Sequence, residues 1–491
     1  MKLTYGGEVK ISHTADCPKA KRKVVCVKAT VPYEHRHLVS LAAAAVLLLL
    51  LTAGFGVIWQ SCYADTIVQP FFRRGNWAVI WIYAVLLVIL FRAYDCLRYG
   101  YLKGVHLICN QCIAVGIANG ITYLQISVIG RRLLSTLPLL LLTLGDILLI
   151  LGWAAIMKGL YFRLYPPRRL VIVYGSRRAA ELVLKMSSRV DKYMICESVD
   201  MAEGFAAVCT QIRGYEGVIL CELPADARND LLEYCYAVGL RVYIAPDIPD
   251  IMLRGAEEIR LFDTPLLLCR NTGLSPGQRL CKRVMDVVIA GGLLLATAPL
   301  WLICAAAIRL EDGGDVIYRQ QRLTEGGKLF DVLKFRSMIP DAEQEGRAVT
   351  ATEQDKRITR VGKVLRRFRL DELPQLWNIL KGDMSLVGPR PERPQLAEAY
   401  TQACPEFGFR LRVKAGLTGY AQVIGTYDTR PADKLKMDLM YIEQYSLLLD
   451  LRILLMTVKT ALLPHATNEA ARKNIQRTVQ KGRKNGPCSK L

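Results

Sequence analysis

The chain has 491 residues, with 65 Lys and Arg against 44 Asp and Glu, a net charge of +21, 52% apolar residues and a mean hydropathy of +0.22. That apolar share exceeds the roughly 45–50% of soluble domains and gathers in long runs, which points to a membrane protein of about three domains. The basic excess comes without zinc-finger spacing, an aromatic RNA-binding signature or a basic recognition helix, so no nucleic-acid partner is expected.

Residues 1–37 form a basic tail (Lys19, Lys21, Arg22 and Lys23 among others) with no removable signal peptide expected. Four apolar segments follow, at 38–59, 77–97, 106–129 and 137–157. Each approaches the ~20 residues that cross a ~30 Å hydrocarbon core, which predicts a four-span helical bundle over 38–165. Cations crowd the tail, the turn with Arg92, Arg98 and Lys103, and the exit with Lys158, Arg163, Arg168 and Arg169. The opposite loops hold only Arg73, Arg74, Arg131 and Arg132, so both ends of the bundle are expected in the cytoplasm. The fifteen cysteines, odd in number and scattered, read as reduced thiols; Cys109 and Cys112 lie inside an apolar run as core thiols. Asp146, inside the fourth segment, is expected to make a polar contact between helices.

Residues 166–270 change character. "RRLVIVYG", "GVILCELP" and "LRVYIAPD" are short apolar strands, with "AAELVLKM" and "DLLEYCYAVG" as helices between them. This alternation predicts an open parallel α/β sheet, Rossmann-like in class. The phosphate fingerprint is degenerate: "GSRRAA" keeps only the first glycine of G-x-G-x-x-G, so a structural or regulatory role is favoured over a bound dinucleotide.

The last large region, 271–466, opens with a fifth apolar run at 287–308. Lys282 and Arg283 precede it, Arg309, Arg319 and Arg322 follow it, and Ala298-Pro299 falls near its middle. Cations on both flanks and a proline that removes a backbone donor predict a re-entrant membrane hairpin; the alternative is a straight fifth span. "QYSLLLDLRILLMTVKTALLP", interrupted by Asp450, Arg452 and Lys459, reads as an interfacial helix, and 467–491 as a basic tail that touches anionic lipid.

The chemistry of this region follows from what it lacks. His465 is the sole histidine after His106, which excludes Ser-His-Asp and Cys-His machinery and histidine-ligated zinc between Lys282 and Pro464. Carboxylates, an oxygen-preferring metal and many cations remain, a combination suited to phosphoryl transfer. Asp371 and Glu372 stand just before a helix carrying Leu373, Leu376, Trp377 and Leu380, with Pro374 suiting its first turn. One carboxylate can face phosphorus while its neighbour holds a metal; ordinary acids at a helix N-terminus are the plainer alternative. Lys334 and Arg336, expected on one face of a strand, together with Arg367 and Arg390, are candidate phosphate contacts. Thr418 and Gln422 in "AGLTGYAQV" are candidate base or ribose contacts.

Seven stretches then appear in a fixed order: "KRVMDVV", the proline-broken run, "YRQQR", "LKFRSM", "RLDELPQLWNILKGDMSLVGPRP", "AGLTGYAQV" and "YIEQYSLLLDLRILL". Over about 282–460 the chain resembles bacterial sugar transferases, the monotopic polyprenyl-phosphate sugar-1-phosphate transferases. Its N-terminal architecture resembles the long members that begin capsule, exopolysaccharide or O-antigen assembly. The resemblance implies transfer of a sugar-1-phosphate from a UDP-sugar to undecaprenyl phosphate with Mg²⁺, releasing UMP, at the cytoplasmic face of a bacterial inner membrane. Asp371 takes the nucleophile's role, and Glu372 assists it and the metal. Two positions depart from the family pattern: Ala298-Pro299 replaces Ser-Pro at the hairpin break, and Phe368-Arg369 replaces a small or polar pair before the carboxylates. A homo-oligomer through the membrane domain is a further expectation. Two rivals stand: a membrane-anchored nucleotide-sugar dehydratase, which needs an intact glycine fingerprint and a Tyr-x-x-x-Lys pair that 168–270 lacks, and an inactive regulator of polysaccharide export.

Overall fold

The computed structural model describes residues 35–462 apart from 67–73, 98, 101–103, 176–181, 183–185, 187–188, 190–191, 270–272, 340–354, 356 and 426–429. Five helical stretches are long and apolar enough to cross a membrane: Arg36–Thr66, Gly75–Ala93, Gly104–Ile129, Leu137–Leu164 and Pro276–Asp312. The first four contain α1 (Arg36–Ile58), α2 (Gly75–Ala93), α3 (Gly104–Ile129) and α4 (Leu137–Leu164), close to the segments expected from hydropathy. Their outward residues are largely apolar, while a polar set lies inside. Tyr83 donates to Asn119 at 2.8 Å, and the Asn119 amide donates to Asp146 at 3.3 Å, so the expected interhelical contact of Asp146 forms.

A four-stranded sheet follows, built from β1 (Arg168–Tyr174), β2 (Tyr193–Asp200), β3 (Gly217–Cys221) and β4 (Arg241–Ile244) in the order β2-β1-β3-β4, all parallel. Val171, Val173, Val218 and Leu220 fill one side of it beneath α5 (Phe205–Ile212) and α6 (Ala225–Val238). Strand β2 escaped the sequence reading because its "YMICESVD" mixes polar and apolar residues without alternation. The helix expected at "AAELVLKM" falls largely outside the described residues.

Two compact units divide the chain: one comprises the sheet and most of the first four long helices up to Ala245, the other runs from Pro246 and includes Ile89–Tyr94. The second unit begins with α7 (Ile248–Arg254) and a hairpin of β5 (Glu257–Leu261) and β6 (Thr264–Leu268). Ile251 of α7 is buried in the unit's main core with Leu376, Ile379, Leu386, Leu435 and Leu439. The remaining elements are α8 (Pro276–Asp312), the antiparallel pair β7 (Ile317–Leu323) and β8 (Leu329–Phe335), α9 (Arg360–Arg367) and α10 (Gln375–Lys381). They are followed by β9 (Ser385–Val387), α11 (Pro394–Ala403), β10 (Gly416–Thr418), α12 (Tyr420–Ile424), α13 (Pro431–Glu443) and α14 (Leu447–Leu462).

Helix α8 carries the proline-containing run as one helical stretch: no separate turn divides 287–308, and the assignment continues for 37 residues with Pro299 inside it. Proline removes a single backbone donor, and its Ala and Leu neighbours are strong helix formers. Both ends of α8 bond to the same unit. Near its start Lys282 pairs with Asp450 at 2.6 Å, Arg283 donates to the carbonyls of Ile379 and Leu380 at 2.5 and 2.6 Å, and Asp286 accepts from the Leu386 amide at 3.0 Å. Near its end Glu311 accepts from the Arg360 amide at 2.8 Å and Asp312 pairs with Arg336. Between them Leu295, Leu302 and Ile303 are exposed.

In helix α14 Asp450, one of the charges that interrupt its apolar run, is completely buried, bonded to Lys282 and to the Tyr441 hydroxyl at 2.8 Å. The charge that breaks the apolar run is an internal anchor between α8, α13 and α14.

Candidate active site

Asp371 and Glu372 lie in a single 3₁₀ turn, Leu370–Glu372, one residue pair ahead of Pro374, the N-cap of α10. Arg369 enters that turn in the left-handed region with φ 54°, uncommon for a residue with a side chain. The reversal sends the chain from α9 into the 3₁₀ turn and aims consecutive carboxylates at different neighbours.

Glu372 is held by two cations on one oxygen. Arg390 Nη2 lies 3.2 Å from Oε1 and Lys334 Nζ 3.6 Å from the same atom. Burial pushes the Glu372 carboxyl up, but Arg390, Lys334 and Arg369 outweigh it and hold the pKa at about 2. Asp371 is treated differently. No cation forms an ion pair with it among the described residues, and burial, then the adjacent Glu372 charge, pushes its carboxyl above the usual range, with Lys334 and Arg366 pulling the other way. One acid is a fixed anion; its neighbour is a more basic, unclaimed carboxylate.

The backbone around Arg390 is fixed from beneath. Arg410 is buried and donates to the Arg390 carbonyl at 3.0 Å, pairs with Asp438 at 2.8 Å and lies 3.4 Å from Glu392, which also binds Lys434. Gly388 and Gly416 let the Gly-Pro-Arg-Pro turn press onto β10: a Cβ on Gly388 would strike the Lys414 carbonyl and the Gly416 amide, and one on Gly416 would strike Gly388. Glycine is required there for close backbone approach.

Arg322 completes a cationic wall. Its guanidinium donates to the Pro391 carbonyl at 3.1 Å and to Gln320 at 2.6 Å. Burial, and then repulsion from Arg393 and Arg390, push its pKa down to about 10. A half-buried cluster of cations such as this can accommodate an anion of the diphosphate kind.

Among the expected site residues, Asp371, Glu372, Lys334 and Arg390 come together. Arg336 does not: it lies one residue past the end of β8 and its guanidinium is taken by Asp312. Arg367 is exposed over the Phe368 ring, 5.9 Å from its centroid, whereas Arg366, one position earlier on α9, donates to Ser337 at 2.8 Å and acts on Asp371. Thr418 bonds Thr457 at 2.7 Å, and no hydrogen bond joins Gln422 to the carboxylates; its Nε2 is buried without a partner among the described residues. Arg322, Arg366 and Arg410 were missed. Their signal in sequence is weak, since each role depends on burial and on which face of an element points inward.

The described residues contain no cluster of three metal-ligating side chains. Mg²⁺ asks for less: one or two carboxylates plus substrate phosphates. Both cations on Glu372 use Oε1, leaving Oε2 and the Asp371 carboxylate without an ion pair among the described residues, so the donor set fits an ion delivered with a diphosphate.

A half-buried acid pair ringed by cations lies on a unit bonded to both ends of one long apolar helix. Comparison supplies the class: residues 277–464 match the model of the bacterial sugar transferase family. The exopolysaccharide production protein ExoY of Rhizobium meliloti is 38% identical over 219 residues, 42% of this chain and 96% of that protein. A UDP-N-acetylgalactosamine-undecaprenyl-phosphate N-acetylgalactosaminephosphotransferase from Aeromonas hydrophila is 42% identical over 191 residues, 38% of this chain and 45% of that protein. An undecaprenyl-phosphate glucose phosphotransferase from Komagataeibacter xylinus is 36% identical over 255 residues, 50% of this chain and 48% of that protein. The chain thus spans about half the length of the last two relatives and nearly all of the first. It belongs to the bacterial sugar transferase family.

Proposed function

We propose that the chain transfers a sugar-1-phosphate from a UDP-sugar to undecaprenyl phosphate, the first committed step of a cell-surface polysaccharide. The division of labour between Asp371 and Glu372 carries this reading. A carboxylate raised in basicity and free of any ion pair is a nucleophile, and its clamped neighbour keeps a negative charge at every physiological pH. Asp371 attacks the β-phosphorus of the UDP-sugar, the bond from that phosphorus to the bridging oxygen breaks, and UMP leaves. A phosphate oxygen of the polyprenyl acceptor then attacks the phosphosugar-aspartate and frees the carboxylate. Arg390, Lys334 and Arg322 hold the diphosphate charge. Asp371 and Glu372 would hold Mg²⁺, which would supply further neutralisation of phosphate oxygens.

The same reading extends to topology. On this reading α8 is re-entrant and bends within its helical run, where Pro299 lies: a straight helix of 37 residues, about 55 Å long, would part its two ends, yet both bond to one unit while its middle is exposed and apolar. The first four long helices cross the membrane fully and leave the parallel sheet, Rossmann-like in class, on the cytoplasmic side. The relatives act on different sugars by name, so the hexose itself is identified by assay. Membranes containing the chain, undecaprenyl phosphate and one labelled UDP-sugar at a time should yield a labelled lipid with one sugar class. Asp371→Asn should yield none. Turnover by that variant near the unmodified rate would remove the covalent step.

A further inference from the structure

Strand β8 has β7 on one side and, among the described residues, no strand on the other. Its outer edge therefore carries amides and carbonyls that a wider sheet would pair, and such groups need partners wherever water is excluded. One side chain supplies them. Asn378, on α10 and 2% exposed, donates from Nδ2 to the Asp331 carbonyl at 2.8 Å and accepts from the Leu333 amide on Oδ1 at 3.0 Å. These are the two bonds that one residue of a parallel strand would make opposite Val332. The amide stands in for a missing neighbour strand. Its orientation is settled by its partners, since only Nδ2 can donate to a carbonyl and only Oδ1 can accept from an amide.

The place of this clamp gives it a role. Lys334 follows Leu333 directly, and its Nζ lies 3.6 Å from Glu372 Oε1. On the other side, Asn378 is joined to Glu372 through successive bonded turns. The amides of Leu373, Leu376 and Trp377 donate to the carbonyls of Leu370, Leu373 and Pro374 at 3.1, 3.0 and 3.1 Å. Phe330 and Val332 share a core with Leu376 and Ile379, but apolar contact is non-directional and tolerates sliding. Two directed hydrogen bonds do not. A lysine is a point charge on a flexible stem, so where its backbone is held decides where the charge falls. We propose, on the transferase reading above, that Asn378 is a positioning residue. Its amide locks β8 to the helix that follows the carboxylates and so holds Lys334 at Glu372, where the diphosphate charge is met.

A double-mutant cycle tests it. The full chain in nanodiscs is assayed for UMP release from a labelled UDP-sugar with undecaprenyl phosphate present, and thermal melts check folding. Asn378→Asp keeps the oxygen facing Leu333 and removes the donor to Asp331, whereas Asn378→Ala removes both. Each should lower kcat/KM about tenfold or more. In a Lys334→Gln background neither should lower it further by more than about twofold, because the group being positioned is gone. Hydrogen exchange gives a readout independent of turnover: the Leu333 amide should be protected in the unmodified chain and exchange faster in both variants. Normal kcat/KM in a folded variant, losses that multiply fully with Lys334→Gln, or an unprotected Leu333 amide in the unmodified chain would each overturn the assignment and leave the transferase reading standing. Failure of the unmodified chain to transfer from any UDP-sugar would overturn that reading, and the assignment with it.

Discussion

At the level of single residues, two neighbouring carboxylates receive opposite treatment from the same set of cations. Asp371 is pushed up by burial and by Glu372, so it takes up a proton sooner than an ordinary aspartate as pH falls; Glu372, at about 2, does not. The acid limb of kcat/KM should therefore follow Asp371 alone, with a single ionisation above the normal aspartate value, and should persist in a Glu372→Gln variant that retains residual activity. For stability the signs oppose: the depressed pKa of Glu372 gives a contribution that is present above its unfolded value near 4.5 and lost as pH falls towards about 2. The ionised form of Asp371 is disfavoured by the fold at neutral pH, so Asp371→Asn should leave the melting temperature unchanged or raised while turnover drops by at least about 10³-fold. Paired substitutions on α9 separate contact from proximity. Arg367→Ala should leave turnover and stability within about 0.5 kcal/mol, as for an exposed surface residue, whereas Arg366→Ala should reduce kcat through Asp371. Steady-state kinetics on both variants decides it.

At the level of elements, what could be read from sequence was whatever depends on local spacing. Hydropathy marked the first three long helices to within a few residues, whereas α4 runs on to Leu164 and α8 begins back at Pro276, and the run Leu373, Leu376, Trp377, Leu380 announced α10 and hence the position of the acids before it. What could not be read depends on which neighbour reaches inward. Lys334 and Arg336 alternate correctly, but β8 stops at Phe335 and Arg336 turns to Asp312. Asp450 looked like a surface interruption because nothing local tells that Lys282, far away in sequence, is its partner. The glycine contact beneath Arg390 was similarly silent. Gly388→Ala should force the turn off β10, where the added methyl meets backbone rather than a yielding side chain, at a cost of about 1–3 kcal/mol. Arg390 would then lose its register on Glu372, so activity should fall further than stability; thermal melts and turnover measured on the same preparation distinguish the two.

At the level of the whole molecule, the boundary of the second unit changes where the chain can be cut. The resemblance begins near Lys282, yet Ile251 is 2% exposed within the core shared with α10, β9 and α13, and Gly255 packs against Glu443. A chain starting at Pro246 should retain transferase activity in nanodiscs without the first four long helices. One starting at residue 271 should be less stable by about 2–5 kcal/mol, the range for emptying a buried Ile-sized site. Equal melting temperatures for the two would mean that α7 contributes nothing to the fold.

The double attachment of α8 has a consequence for the bilayer itself. A helix that crosses must match the hydrocarbon thickness or tilt, and mismatch costs fractions of a kcal/mol per Å. A re-entrant α8, as proposed, has no far side to match. Turnover by the chain starting at Pro246 should therefore be flat across lipids of increasing acyl length, while remaining sensitive to whatever compresses one leaflet, such as lysolipid added to a single face. An optimum at one acyl length would instead reveal a helix that spans.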